Sequence, residues 1–422
     1  MLIRLQNKLY RLLRWSEKYT KTDMIYLTRG GFWITISQTI VSISSLLLAI
    51  AFANFVSKEF YGEYKYVISL AGILGTLTLS GLGTSITRSI AKGNEGTLNH
   101  AFWVNIKWSF LFFSTALGIA IYYFANDNPT IGLAMLIVGS FSPIILSSNF
   151  YNSFLIAKKD IKRSIIYFEV IGNLFPAFCL FLTMLFFKTS ISLVLAYFIS
   201  NLLIGLIFYI KILKIYNPNK KIDSEAINYG KHLSLMNILT GLANNIDQII
   251  LFHFLGATQL AVYNFAIAIP NQIKGPLKGL DNLIFAKFTE RSEEEIRQRM
   301  NTKIFYLFIL LASIVIVYIF LAPFIFKFLF PKYLDSIKYS QIFALSIIGL
   351  SFWPTSTYLT SHKKISEQYI ANLSLSLTQI ILVFLGIIYG GLLGVIIARI
   401  IARMIWGALN YIMYVVSLNP TE

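Results

Sequence analysis

Twelve stretches of this chain are each long and apolar enough to cross a bilayer: 32–54, 64–90, 101–124, 130–157, 164–187, 190–210, 231–254, 259–284, 303–329, 337–360, 366–388 and 391–416. A hydrocarbon core needs about 20 apolar residues per helix. Lipid offers no partner to a free N–H or C=O, so runs of this kind cross as helices, each satisfying its own backbone. The expected class is an all-α integral membrane protein with 12 transmembrane helices. Composition agrees: 56% of the 422 residues are hydrophobic and 13% charged, too few charges to coat a soluble surface.

The net charge is +17, which in a soluble chain would suggest nucleic acid. Here the basic residues sit in short segments between apolar runs, where their sidedness sets orientation instead. An even number of spans puts both termini on one side. With that side cytoplasmic, 28 Lys and Arg fall inside, six outside (Lys58, Lys65, Lys188, Lys327, Lys332, Lys338), and Arg399 and Arg403 within the last span. N- and C-termini are therefore expected in the cytoplasm, with no nucleic-acid partner. Charges interrupt every apolar run of residues 1–21, which argues against a cleavable signal. Leu2, Leu5, Leu9 and Leu12 share one helical face and Arg4, Lys8, Arg11 and Lys18 another, so residues 1–28 are expected to form a basic amphipathic helix on the anionic inner leaflet. The single cysteine, Cys179, excludes an intrachain disulfide and a cysteine-based metal site.

Slid against itself by 199 residues, the chain aligns Gly31 with Gly230, Phe55 with Phe254 and Tyr64 with Tyr263; Gly81-Leu82 meets Gly279-Leu280 one residue earlier. Six spans per copy insert with the same orientation, so the reading is two parallel six-helix bundles, 29–216 and 217–422, with the substrate path between them. The repeat also marks inward faces. Gln38, Ser42 and Ser45 share a face of the first span, and their partners in the seventh are Asn237, Gly241 and Asn244. Polar faces are costly against lipid and are expected to meet protein or a water-filled cavity.

Ionisable residues inside a membrane are functional candidates. Glu169 and Asp247 are the embedded acids, and candidates for H+ or Na+ coupling. Arg88, Lys107 and Lys287 lie near the inner ends of spans, where snorkelling competes with substrate binding as an explanation. Arg399 and Arg403 are one turn apart, Arg399 about 12 Å into the last span. Two readings of the pair stand side by side: ion pairing with Asp247 or Glu169, favoured for Arg403, and substrate binding, favoured for Arg399. Nucleotide-binding loops, HExxH and GxSxG are absent from the sequence, and the four histidines lack metal-ligand spacing, so neither enzyme chemistry nor a cofactor is expected.

The segment from Ala53 to Tyr64, ANFVSKEFYGEY, resembles the "ArxLGpeefGxY" signature of the lipid-linked oligosaccharide flippases, the Wzx-like polysaccharide transporters. LSGLGT at 79–84 is similar to their "GLgta", and NIDQIIL at 245–251 with FLG at 254–256 and VYN at 262–264 to their "qlDrlllgyflG...gxYn". Ala286 stands where the family often has proline, and Arg399 and Arg403 where it usually has small residues. The resemblance implies the fold of the multidrug/oligosaccharidyl-lipid/polysaccharide exporters, a V-shaped bundle like that of MATE transporters, working by alternating access in the bacterial inner membrane. It implies as substrate an undecaprenyl-diphosphate-linked O-antigen, capsule or exopolysaccharide unit, and as partners membrane lipids, a polysaccharide polymerase and chain-length proteins. A multidrug or cation exporter of the same superfamily and a membrane glycosyltransferase or polymerase are the alternatives.

The 28-to-six asymmetry makes a topological prediction. Single cysteines at Asn126, Lys188 and Lys332 should react with an impermeant thiol reagent from outside the cell, and those at Lys159, Lys220 and Lys363 should not. Labelling of the second set from outside would reverse the orientation.

Overall fold

The computed structural model describes residues 24–187, 189–273, 288, 293–362 and 365–418. Residues 1–23 of the amphipathic segment, Pro276, Lys287 and Ser292 lie outside them. The N-terminal half contains α1 (Met24–Phe55), α2 (Lys58–Gly75), α3 (Leu82–Ala91), α4 (Thr97–Trp108), α5 (Phe110–Ala125), α6 (Pro129–Ser148), α7 (Phe150–Ala157), α8 (Ile161–Ser164), α9 (Gly172–Phe186) and α10 (Ser190–Tyr216). A π-helical turn, Ile165–Ile171, joins α8 to α9. The C-terminal half contains α11 (Ser224–Gln272), α12 (Glu293–Leu329), α13 (Ser336–Ala344), α14 (Trp353–Ser361) and α15 (Ile365–Leu418). Among the described residues, nine helices are long and apolar enough to cross a membrane.

Two of those nine fold back on themselves. Across 16 residues of unbroken helix, Asp247 and Tyr263 would stand about 24 Å apart, yet the Tyr263 hydroxyl donates to the Asp247 carboxylate. The reversal falls at Gly256, whose φ of 81° and ψ of 176° suit glycine alone. In the same way Gly386 and Gly394, eight residues apart, press backbone to backbone around Gly391 at φ 53°. The expected span 64–90 is likewise segmented, because the chain turns at 76–81 between α2 and α3. Residues 293–302, ahead of the expected span 303–329, are helical and continue into it without a break.

The two halves meet along α2, α3 and α11, and differently at the two ends of the molecule. At the end carrying the reversals near Ser57 and Gly256, one aromatic cluster draws on both halves. Tyr66 stacks on Phe252 with ring centroids 3.8 Å apart, Tyr61 lies 5.0 Å from Phe265, and Phe265 lies 3.9 Å from Tyr333. Ser57 caps α2 there by accepting from the Phe60 N–H at 3.2 Å. Lys58 pairs with Asp335 at 2.7 Å, and the Lys332 ammonium donates to the Asn54 carbonyl at 2.8 Å. A side chain on Gly62 would run into the Ala257 backbone, so the seam closes only over glycine.

At the opposite end, which carries the 92–96, 158–160 and 217–223 connections, the halves have separate cores. Leu82, Ile86, Leu98, Phe154 and Tyr209 form one, with Ile227 of α11 added. Phe288, Ile296, Met300, Tyr358 and Tyr414 form another, wholly within the C-terminal half. The first turns of α11 stay with the N-terminal half, where the Gly81 N–H donates to Ser234 Oγ at 2.9 Å. Among the described residues the hydrophobic core thus runs across both halves at the reversal end and is divided at the connection end. Glu95 staples that end of the N-terminal half: its carboxylate accepts from Lys158 and from the Asn219 N–H at 3.0 Å. Those donors, Lys158 first, hold the Glu95 carboxyl below the usual range.

Because the seam at Gly62 is backbone against backbone, Gly62→Val should cost about 1–3 kcal/mol through overpacking. Thermal unfolding of the purified protein should show a lowered midpoint, whereas Gly118→Ala, at a position with open space around it, should not lower it. An unchanged midpoint for Gly62→Val would mean that the seam is not closed as described.

Candidate functional site

The folded-back helices α11 and α15 bring the strongest charges of the sequence together inside the C-terminal half. Gln379 of α15 donates to the Ala243 carbonyl of α11, which fixes the two helices side by side. One turn further along α11, Asp247 is 1% exposed and faces Arg399 of α15, with Nε 3.4 Å from Oδ2. Tyr263, from the returning part of α11, donates its hydroxyl to the same carboxylate, and the Gln248 N–H donates to Oδ1 at 2.9 Å. A buried ion pair of this kind contributes little net stability, but removing one partner strands the other and costs about 3–5 kcal/mol.

Arg403 lies one turn beyond Arg399 and finds no carboxylate among the described residues. Its guanidinium donates to Ser346 Oγ at 2.6 Å and to Asn271 Oδ1 at 3.3 Å, and lies 5.1 Å from the centre of the Phe343 ring. Each partner is neutral. Among the described residues two cations therefore share one anion in a region sheltered from water, a balance electrostatically suited to a negatively charged ligand. This arrangement reverses the preference drawn from sequence: Arg399 holds the ion pair and Arg403 has the unbalanced charge. The reason is helical phase. Asp247 sits level with Arg399, and the next turn of α15 faces the neutral groups of Asn271 and Ser346.

The other candidates are scattered around the seam. Gln38, Ser42 and Ser45 are half-buried on α1, and Leu47 on the opposite face is 61% exposed. Asn237 is exposed and donates to Ser80 Oγ at 3.3 Å across the seam, and Asn244 is exposed on the same face of α11. Arg88 is exposed near Tyr229, 5.9 Å from its ring centre. Lys107 stands apart from all of these, in a groove on the other side of α11. Glu169 lies on the π-helical turn, half-buried in the N-terminal half, and is not part of the arginine cluster. Lys287 is outside the described residues. Tyr263, Asn271, Ser346 and Phe343 were not singled out from sequence. Tyr263 stood in a recognisable motif, but the other three are ordinary residues whose role comes only from their position beside Arg403.

Residues 27–275, more than half of the chain, match the profile of a family described as polysaccharide biosynthesis protein. The chain belongs to that family. No curated protein matches it. Among solved structures, this polysaccharide biosynthesis family member is similar to an outward-facing multidrug resistance MATE transporter of the MOP superfamily, at 16% identity and TM-score 0.62, over 92% of this chain and 95% of that one. An inward-facing MATE transporter of the same superfamily matches at 17% identity and TM-score 0.63, over 95% and 96%. A MOP superfamily transporter from Pyrococcus furiosus, described as having a binding pocket of reversed polarity, matches at 16% and 0.64, over 93% and 95%. At these identities the likeness is one of fold: a MATE-like, all-helical transporter fold, multi-pass in the membrane.

A double-mutant cycle tests the ion pair. Arg399→Gln should destabilise the protein by about 3–5 kcal/mol, and adding Asp247→Asn should recover most of the loss, read as thermal midpoint and yield of folded protein. Additive losses in the double variant would mean that the two groups do not pair.

Proposed function

We propose that this protein moves a lipid-linked oligosaccharide, a saccharide unit carried on undecaprenyl diphosphate for O-antigen, capsule or exopolysaccharide, from the inner to the outer leaflet of the bacterial cytoplasmic membrane. The observation that carries this reading is the unbalanced pair, Arg399 and Arg403 over Asp247 alone. A diphosphate must lose water to cross the bilayer, and a guanidinium offers a planar, permanently charged set of donors to replace it. A multidrug exporter handling cations needs an acid on the path instead; Asp247 is engaged by Arg399, Tyr263 and the Gln248 N–H, and Glu169 lies half-buried on the π-helical turn of the N-terminal half, apart from the arginine cluster.

In this reading each folded-back helix contributes two spans, and α2 with α3 contributes one, giving twelve spans in two six-helix halves of equal orientation with both termini cytoplasmic. The connection end is then the cytoplasmic end, where the halves, with their separate cores, receive the headgroup from the inner leaflet. Arg403 meets the diphosphate, while Asp247 and Tyr263 hold Arg399 in place beside it. Gln38, Ser42, Ser45, Asn237 and Asn244 give the sugar a polar path between the halves. Release needs the seam of Tyr61, Phe265 and Tyr333 to part as the cytoplasmic ends come together, which is alternating access between two rigid bundles. The chain holds and orients its cargo without breaking a bond.

The test is transport of a fluorescent undecaprenyl-diphosphate oligosaccharide in proteoliposomes. Arg403→Gln should fold and lose translocation, whereas Arg403→Lys should keep part of it, because the charge persists while the forked geometry is lost. Full activity in Arg403→Gln, or efflux of a lipophilic cation in its place, would reject the reading.

A further inference from the structure

The groove that holds Lys107 belongs to a different surface from the path between the halves. On α4, His100, Val104, Lys107 and Trp108 share one face; on α11, Ser224, Ile227, Asn228 and Lys231 share another, and together they line a recess of about 370 Å³. At the helical repeat of 3.6 residues, Asn237 and Asn244 lie about 140° round α11 from this face. Leu235, which continues the groove side, is 66% exposed, as a lipid-facing leucine is. The groove therefore opens sideways to the bilayer, outside the seam of α2, α3 and α11, with one wall from α4 and one from the start of α11.

Its chemistry is one-sided. Lys107 and Lys231 approach from opposite walls, and the Lys231 ammonium lies 5.6 Å from the centre of the Trp108 ring. His100 and Asn228 add further polar groups, and among the described residues no carboxylate lines the recess. The nearby Asp223 is occupied at the start of α11, accepting from the Ala226 N–H at 3.1 Å, and Glu95 is held by Lys158 and Asn219. Lys231 lies seven residues into α11 and Lys107 ten into α4, about 10 and 15 Å from the helix starts. A lysine at that depth reaches back toward the phosphates of the nearer leaflet, and Trp108 supplies the amphipathic ring that favours the same level.

We propose that this groove binds the headgroup phosphate of an anionic diacyl phospholipid, with Lys107 and Lys231 on the phosphate and the acyl chains lying along the apolar surface below Leu235. Assigning the lipid to the inner leaflet rests on the cytoplasmic reading of the connection end; the binding itself does not. Lys107 comes from α4 and Lys231 from the first turns of α11, which pack with the N-terminal half, so the bound lipid ties the start of α11 to α4 on the outside of the seam.

Native mass spectrometry of the purified protein, delipidated and then offered phosphatidylglycerol or phosphatidylcholine, tests it. The wild type should retain phosphatidylglycerol in preference to phosphatidylcholine. Lys107→Gln and Lys231→Gln should each weaken that preference, and the double variant should abolish it. The double Lys→Arg variant, which keeps both charges, should preserve it, and monodisperse elution identifies folded protein in each case. Equal retention of phosphatidylglycerol by the wild type and the double Gln variant would overturn the proposal. Displacement of phosphatidylglycerol from the wild type, but not from Arg403→Gln, by undecaprenyl diphosphate would also overturn it, because the lipid would then occupy the substrate site. Retention is read without transport, so a failure here leaves the flippase reading intact, and a failure of the Arg403 test leaves the groove intact.

Discussion

A chain inside hydrocarbon must satisfy every backbone N–H and C=O from within, and this constraint governs where the protein can turn. It crosses as unbroken helix and reverses at a few points where glycine, a capping side chain or a packed partner removes the cost. Ser57 caps α2 through its hydroxyl. The repeat-equivalent position, Gly256, turns with a positive φ that other side chains resist. One fold-back is thus built twice with different local chemistry, and the second version brings Tyr263 against Asp247. The arginine cluster exists because that reversal is tight.

The halves share a fold but not a charge pattern. Asp247 and Arg399 correspond in the 199-residue repeat to Leu48 and Ser200, while Tyr263 corresponds to another buried tyrosine, Tyr64. The scaffold is duplicated and the buried charge belongs to the C-terminal copy alone. A buried carboxylate and guanidinium tolerate each other only as a pair, so neither fits where its partner is missing. Arg403 is the exception, solvated by Ser346, Asn271 and the face of Phe343, and that exception is what makes the site suited to an anion.

The two ends of the molecule also differ in what holds them. Aromatic rings and a short ion pair join the halves at the reversal end, and separate cores mark them at the other. Packed interfaces of this sort have discrete arrangements rather than a continuum, which is what the proposed alternating access would need. The groove beside Lys107 and Lys231 lies on the outer flank of the same seam, where a bound lipid would hold the start of α11 against α4.

The sequence by itself determined that this is a helical membrane protein, because apolar run length is a property of the chain alone, and its 199-residue repeat pointed to two similar halves. It also marked Asp247, Arg399 and Arg403, since embedded charges stand out against an apolar background. Which arginine pairs with Asp247 was decided by the tertiary structure: it depends on the register of α15 against α11, and one helical turn exchanges a carboxylate for a serine and an asparagine. Lys107 looked in sequence like Arg88, a cation near a span end, and only the packing of α4 beside α11 turned it outward toward Lys231. Asn271, Ser346 and Phe343 carried no mark at all in the sequence. Their roles come from lying beside a guanidinium that the chain brings to them from more than 50 residues away, and contacts of that range are set by how helices pack, not by what any one helix contains.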